Sequence, residues 1–135
     1  MGHHEIRYEV PFVVGKGRPR FFRGHATTPD ATREAEKLSR LAYESAAHGA
    51  KAHAGIPVRV TVEMFSPLPK ATPKRTVFEP YLTRPDLDNV AKLQLDALNG
   101  VAYIDDAQVT ELRVFKRDRT RDVTKHTEVT VEWED

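Results

Sequence analysis

The sequence contains no cysteine. That excludes a disulfide scaffold, a thiolate metal site and a cysteine nucleophile, and it fits a reducing compartment. No apolar run approaches the roughly 18 residues that a membrane-crossing helix needs. Residues 1–4 are short and polar, without the apolar stretch of a secretory signal. His3 and His4 among them carry no functional argument. Internal repeats, low-complexity tracts and long linkers are missing too. A chain of 135 residues is therefore expected to form one domain, spanning 1–135, with a core of its own. The expectation at this level is a soluble, cytoplasmic, globular protein.

The formal net charge is only +1, but its distribution is uneven. Residues 15–25 carry Lys16, Arg18, Arg20 and Arg23 with no acid. Residues 68–84 carry Lys70, Lys74, Arg75 and Arg84 against Glu79, and 113–125 carry Arg113, Lys116, Arg117, Arg119, Arg121 and Lys125 against Asp118 and Asp122. Acids gather instead at 86–106 and 128–135. Basic clusters attract a phosphate backbone through Coulomb attraction and counterion release. Each alone is equally a solvated loop; three around one acidic centre point to nucleic acid.

Ile6, Tyr8, Val10, Phe12 and Val14 alternate with the period of a half-buried strand. Thr28-Pro29 opens a helix, with proline at its first position, in which Ala31, Ala35, Leu38, Leu41, Ala42 and Ala46 recur to about Gly49. Val58, Val60, Val62 and Met64 mark a second strand with Arg59, Thr61 and Glu63 opposite. Five prolines make 66–85 a mostly extended, exposed loop. A short helix over 87–99 stops at Gly100. Strands follow at 108–116 and 127–133, joined as a hairpin by 117–126. Without regular βαβ alternation, the expected fold is α+β: a single-domain, two-layer sandwich with helices packed on one face of a mixed sheet.

The chemistry concentrates in Arg84-Pro85-Asp86-Leu87-Asp88-Asn89-Val90-Ala91-Lys92, Asp96-Ala97-Leu98-Asn99-Gly100 and Asp105-Asp106-Ala107-Gln108-Val109. Helical geometry puts Asp88, Lys92 and Asp96 on one side, with Leu87, Val90, Ala91, Ala97 and Leu98 on the other. A tight turn after the helix can return Asp106 towards Asp86 and Asp88. Several carboxylates and no thiol suit a hard cation such as Mg²⁺ or Mn²⁺, which relieves the repulsion the cluster creates and can activate water against a phosphodiester. Lys92 is placed to hold the phosphate, or to pair with Asp88. The same pattern is also ordinary N-cap and turn chemistry. Spacing alone leaves both readings open.

Those three runs resemble the RusA family of Holliday junction resolvases, whose signature combines Asp-x-Asp-Asn, a following lysine, Asp-Ala-Leu and Asp-Asp-x-Gln-Val. Lys16-Gly17-Arg18-Pro19-Arg20-Phe21 also resembles the family's basic loop, so the likeness extends over about 10–116. The resemblance implies a RusA-like fold in which Asp86, Asp88 and Asp106 bind the metal, Lys92 is the essential lysine and Asp105 assists. The role of Asp96 is less defined. It also implies a homodimer acting on four-way DNA junctions in recombination and repair, in the nucleoid of a bacterial or phage-infected cell. DNA contacts are then expected from Lys16, Arg18, Arg20, Arg23, Lys70, Lys74, Arg75 and Lys116. Two other functions are weighed beside this one: a junction-binding protein that does not cut, and a nuclease for flaps or forks. Phe21 and Phe22 fit a loop anchor better than a wedge between bases. His25, His48, His53 and His126 lack metal-ligand spacing and are expected at the surface. Trp133 is expected in the core, as are Leu38, Leu41 and Ala42 unless part of that face serves a dimer.

Overall fold

The computed structural model describes residues 2–17, 20–22, 25–27 and 30–135, with backbone alone for 20–22 and 25–27. A four-stranded mixed sheet is built from β1 (His3–Val10), β4 (Val58–Phe65), β6 (Val109–Lys116) and β8 (His126–Glu134) in the order β1-β8-β4-β6. Two short ribbons accompany it: β2 (Arg20–Phe22) with β3 (His25–Thr27), and β5 (Phe78–Glu79) with β7 (Arg119–Thr120). Helices α1 (Asp30–Ala47) and α2 (Leu87–Leu98) pack on each other, α1 also on β1 and α2 on β6. The α+β sandwich expected from the sequence is the fold observed.

The sheet's two faces follow from side-chain alternation. Ile6, Tyr8, Val10, Val58, Val60, Val62, Met64, Val129, Val131 and Trp133 are buried beneath the helices. The opposite face carries the alternate residues. β4 is the most apolar strand at its buried positions and lies in the interior of the sheet, antiparallel to β8 and parallel to β6. That arrangement corrects the expected hairpin between β6 and β8, because β4 separates them and residues 117–125 cross it. Alternation reveals which face a strand buries, not which strand it pairs with.

α1 buries Thr32, Ala35, Ser39, Tyr43 and Ala47, four small residues that allow close approach to β1 and α2 and one large ring, Tyr43, that fills the core. Leu38 and Leu41 are 42% and 52% exposed, against the expectation of core, while Ala42 is partly buried against it. The bulkiest aliphatic residues were a poor guide to the phase of this helix. α2 buries Val90, Ala91, Leu93, Gln94, Ala97 and Leu98, but Leu87, expected on this side, is exposed. Gln94 fastens the layers: it accepts from the Tyr8 hydroxyl at 2.8 Å and donates to Ser39 Oγ at 3.1 Å. A buried amide with both ends satisfied specifies one packing register.

The first strand ends at Val10, and the chain then lays Val13 into the core. The proline-rich 66–85 segment is largely extended as expected, yet it is tied down. Leu68 and Tyr81 are buried, and β5 pairs with β7. Among the described residues no helix is long and apolar enough to cross a membrane.

Candidate active site

Residues 84–89 enter α2 against the segment that follows β1. The Lys16 N–H donates to the Asn89 carbonyl at 2.9 Å, and a Cβ on Gly15 would stand 3.0 Å from that of Asn89 and 3.1 Å from that of Pro85. The approach is close enough to favour glycine. Asp86 holds the N-cap position, but its side chain makes no capping hydrogen bond. N-cap aspartates ordinarily accept from the free N–H groups of the first turn, so the ordinary reading of this residue does not hold. At the far end, Asn99 and Gly100 (φ +85°) stop the helix, the left-handed position at which glycine is favoured.

A short turn follows, and Asp106–Gln108 forms one turn of 3₁₀-helix leading into β6. Asp105 caps it, accepting from the Ala107 N–H at 3.2 Å. Gln108 completes the reciprocal half: its side-chain oxygen accepts from the Asp105 and Ile104 N–H groups at 3.1 and 2.8 Å. Its amide then donates to the carbonyls of His53 and Ile56 at 2.8 and 3.1 Å. One glutamine thus pins the acidic turn to the segment before β4. The sequence showed Gln108 only as a motif letter; its signal was the capping-box spacing from Asp105.

Asp88, Lys92 and Asp96 line one cleft of about 380 Å³, and Asp106 faces them from across it. The helix-face reading is therefore realised, and the turn returns Asp106 to the cleft of Asp88 but not to that of Asp86. Asp86 lines a second cleft with Lys16, Arg84 and Asn89, at the same end of α2. Asp105 pushes the pKa of Asp106 upward, first through a hydrogen bond between the two carboxyls, then, after some desolvation, through its charge, with Asp96 adding to it. Negative charge is thus crowded at the turn, between Asp106, Asp105 and Asp96.

The donor set fits a hard cation in kind: carboxylates alone, one of them free of its capping role and one crowded by like charge. Asp86, Asp88 and Asp106 do not reach ligand spacing within this chain. Among the described residues, three candidate ligand atoms lie within 4.8 Å of one another only at His3, Glu5 and Glu132. That group lies on the exposed sheet face, where Glu132 also meets Arg59.

Two of the basic residues expected to contact DNA are engaged within the protein. The Lys16 ammonium is paired with Glu36, and with Asp96 at 2.8 Å, which also gives Asp96 a structural partner. Lys116 donates to the Thr83 carbonyl at 2.6 Å and lies 4.8 Å from the centre of the Tyr81 ring. Lys70, Lys74 and Arg75 are exposed. Arg18 and Arg23 lie outside the described residues, as do the side chains of Arg20, Phe21, Phe22 and His25. His48 and His53 are exposed, whereas His126 is half-buried against Phe65, and Trp133 is core. Leu87, Leu95, Leu112 and Val114 also line the acidic cleft. Sequence reading missed these apolar walls because exposure at a sheet edge leaves no periodic signature.

The chain is similar in sequence to known proteins. It is 32% identical over 117 residues to the uncharacterized protein YqaN of Bacillus subtilis strain 168, covering 81% of this chain and 82% of that protein. The family model described as endodeoxyribonuclease RusA matches residues 11–132. That span takes in both helices, the acidic turn, the proline-rich 66–85 segment, β4, β6 and most of β8, and it leaves out β1. With its acids ranged along α2 and on the turn before β6, this chain belongs to the RusA endodeoxyribonuclease family.

Proposed function

We propose that this member of the family is a homodimeric, structure-selective endonuclease that resolves four-way DNA junctions by Mg²⁺-dependent paired nicking, in recombination and repair. Mn²⁺ is expected to substitute. The observation that carries the reading is the cleft itself: Asp88 and Lys92 on α2 face Asp106 on the turn before β6, while the Asp86 carboxylate is not used to cap its helix.

In this reading Asp86, Asp88 and Asp106 hold the ion, which when bound lowers the pKa of its water and offsets charge developing on the phosphate. Asp105 orients the turn and raises the local negative charge. Lys92 is exposed and in no ion pair among the described residues, so its ammonium is free to hold a non-bridging phosphate oxygen. The attacking water oxygen bonds to phosphorus as the bond to the 3′ oxygen breaks, leaving 5′-phosphate and 3′-hydroxyl ends. Lys70, Lys74 and Arg75 track the DNA backbone, together with Arg18, Arg20 and Arg23. Lys16 and Lys116 serve the site by holding α2 and the loop before it. Dimerisation and residence in the nucleoid follow from the family resemblance.

The test is Asp88→Asn on a panel of four-way junction, flap, fork and linear duplex. A resolvase loses cleavage while junction binding stays or tightens, since a negative charge facing phosphate is removed. Cleavage of flaps or forks in preference to junctions identifies a different branched substrate. Junction binding by the unaltered protein with no cutting in Mg²⁺ or Mn²⁺ identifies a binding module instead.

A further inference from the structure

The segment leading into Asp86 carries the most exposed large apolar residues in the described structure: Val77 at 74%, Phe78 at 60% and Leu82 at 84%. Solvent-facing aliphatic and aromatic side chains are common singly, but three within six residues of a tethered strap are a patch. The strap is held from several sides. The Leu68 N–H donates to the Thr120 carbonyl at 3.0 Å, β5 pairs with β7, and Arg119 is paired with Glu79. The Arg121 guanidinium donates to the carbonyls of Thr72, Pro73 and Thr76. Tyr81 is buried and Lys116 holds the Thr83 carbonyl. The backbone is thus fixed on both sides of Phe78, while the phenyl ring itself is left in water.

Along the strap itself the exposed charge on the approach to this patch is positive, while Asp118 and Asp122 are exposed on either side of β7. Lys70, Lys74 and Arg75 precede Phe78 on the same strap, are exposed, and are in no ion pair among the described residues. An apolar surface preceded by cations along the strap suits a ligand that is anionic along its length and presents flat apolar faces between its charges. Nucleic acid with unstacked bases has that chemistry. In a continuous duplex the faces are hidden in the stack; at a branch point they are open. The chain length between the patch and the acids also fits. Leu82 lies four residues before Asp86, so the two Cα atoms stand within about 14 Å.

We propose that Phe78, flanked by Val77 and Leu82, stacks on an unpaired or unstacked base at the branch point of the DNA and so supplies selectivity for branched structure over duplex. This rests on the function proposed above and adds to it the group that reads the branch. Phe78 is a specificity residue in this scheme. It touches neither the scissile phosphate nor the acids.

The experiment uses the full-length protein in EDTA, so that binding is read without cutting. A four-way junction carries 2-aminopurine beside the crossover, and linear duplex of matched sequence is the comparison. The unaltered protein is expected to bind the junction more tightly than duplex and to raise the 2-aminopurine fluorescence as a base leaves the stack. Phe78→Ala is expected to lose that rise and about tenfold in junction affinity, the scale of one base–aromatic stack. Its duplex affinity and melting temperature stay unchanged, because the ring is exposed. Phe78→Trp is expected to restore both signals. A Phe78→Ala protein that keeps the full rise and junction affinity overturns the proposal, as does an equal loss on junction and duplex. So does a shift of Phe78→Ala towards monomer in sedimentation without DNA, which makes the patch a protein contact. An unaltered protein with no preference for the junction rejects the underlying resolvase reading, and this inference with it.

Discussion

Asp106 stays protonated to higher pH than an unconstrained aspartate, because Asp105 hydrogen-bonds to it and adds like charge. A folded pKa above the unfolded value means that the folded chain binds more protons in the window above the ordinary 3.8. Stability therefore falls as pH rises through that window. At neutral pH the two carboxylates oppose each other, and Asp106→Asn is expected to raise the melting temperature slightly while lowering cleavage by roughly two to three orders of magnitude. Differential scanning fluorimetry and a nicking assay on the same preparation check both; a lowered melting temperature contradicts the crowding account. Gln108 has the reverse profile. Gln108→Ala removes both halves of its bridge, at about 1 to 2 kcal/mol by analogy with lost helix caps. It should lower the melting temperature by several degrees and slow cutting, with junction binding retained, because only the turn that carries Asp106 is loosened.

The elements differ in how far the sequence revealed them. Every long strand and both helices were legible, because Val58, Val60, Val62 and Met64 or Val90, Ala97 and Leu98 hold their period. Neighbour relations were not legible. Nothing local tells β6 that β4 will lie between it and β8. Leu38 and Leu41 misled because Ser39 and Tyr43, not the leucines, pack against the other layers. For the site, the helix face bearing Asp88, Lys92 and Asp96 was readable from spacing, and the apolar walls of the cleft were not. At the join between β1 and α2, Gly15→Ala pushes a Cβ against Asn89 and Pro85; overpacking of this kind costs about 1 to 3 kcal/mol, measurable by urea denaturation. The end of β8 carries a pH-sensitive contact. His126 stacks on Phe65 at 4.5 Å. Burial lowers its pKa, but the Thr124 carbonyl, Glu128 and Glu9 outweigh that and leave it raised from 6.5. A raised folded pKa gives stability that is fully present below the unfolded value and is lost as pH rises through the folded one. His126→Gln should flatten the decline of melting temperature from pH 6.5 upward; an unchanged slope contradicts the assignment.

On the scale of the molecule, charge separates the surfaces. The sheet face away from the helices carries Glu5, Glu9, Glu63, Glu111, Glu128, Glu132 and Glu134, which outnumber Arg7, Arg59 and Arg113. Much of the positive charge there is paired, as Arg59 is with Glu132 and Glu134. This face repels phosphates, in keeping with the proposal that DNA meets the cleft and the strap instead. Replacing Lys70, Lys74 and Arg75 together by glutamine should weaken binding to junction and duplex alike. It should also reduce the slope of log affinity against log salt by up to roughly three units, at about 0.9 per phosphate contact. An unchanged slope removes the strap from the DNA path. The central claim is that the acids around α2 and the turn before β6 form a metal-dependent centre that cuts branched DNA. Its most direct measurement is nicking of a synthetic four-way junction and of matched linear duplex, with Mg²⁺ and with EDTA. Paired, symmetric nicks on the junction alone, present with Mg²⁺ and absent with EDTA, are the result predicted here. Nicking that persists in EDTA, or that falls equally on the duplex, contradicts it.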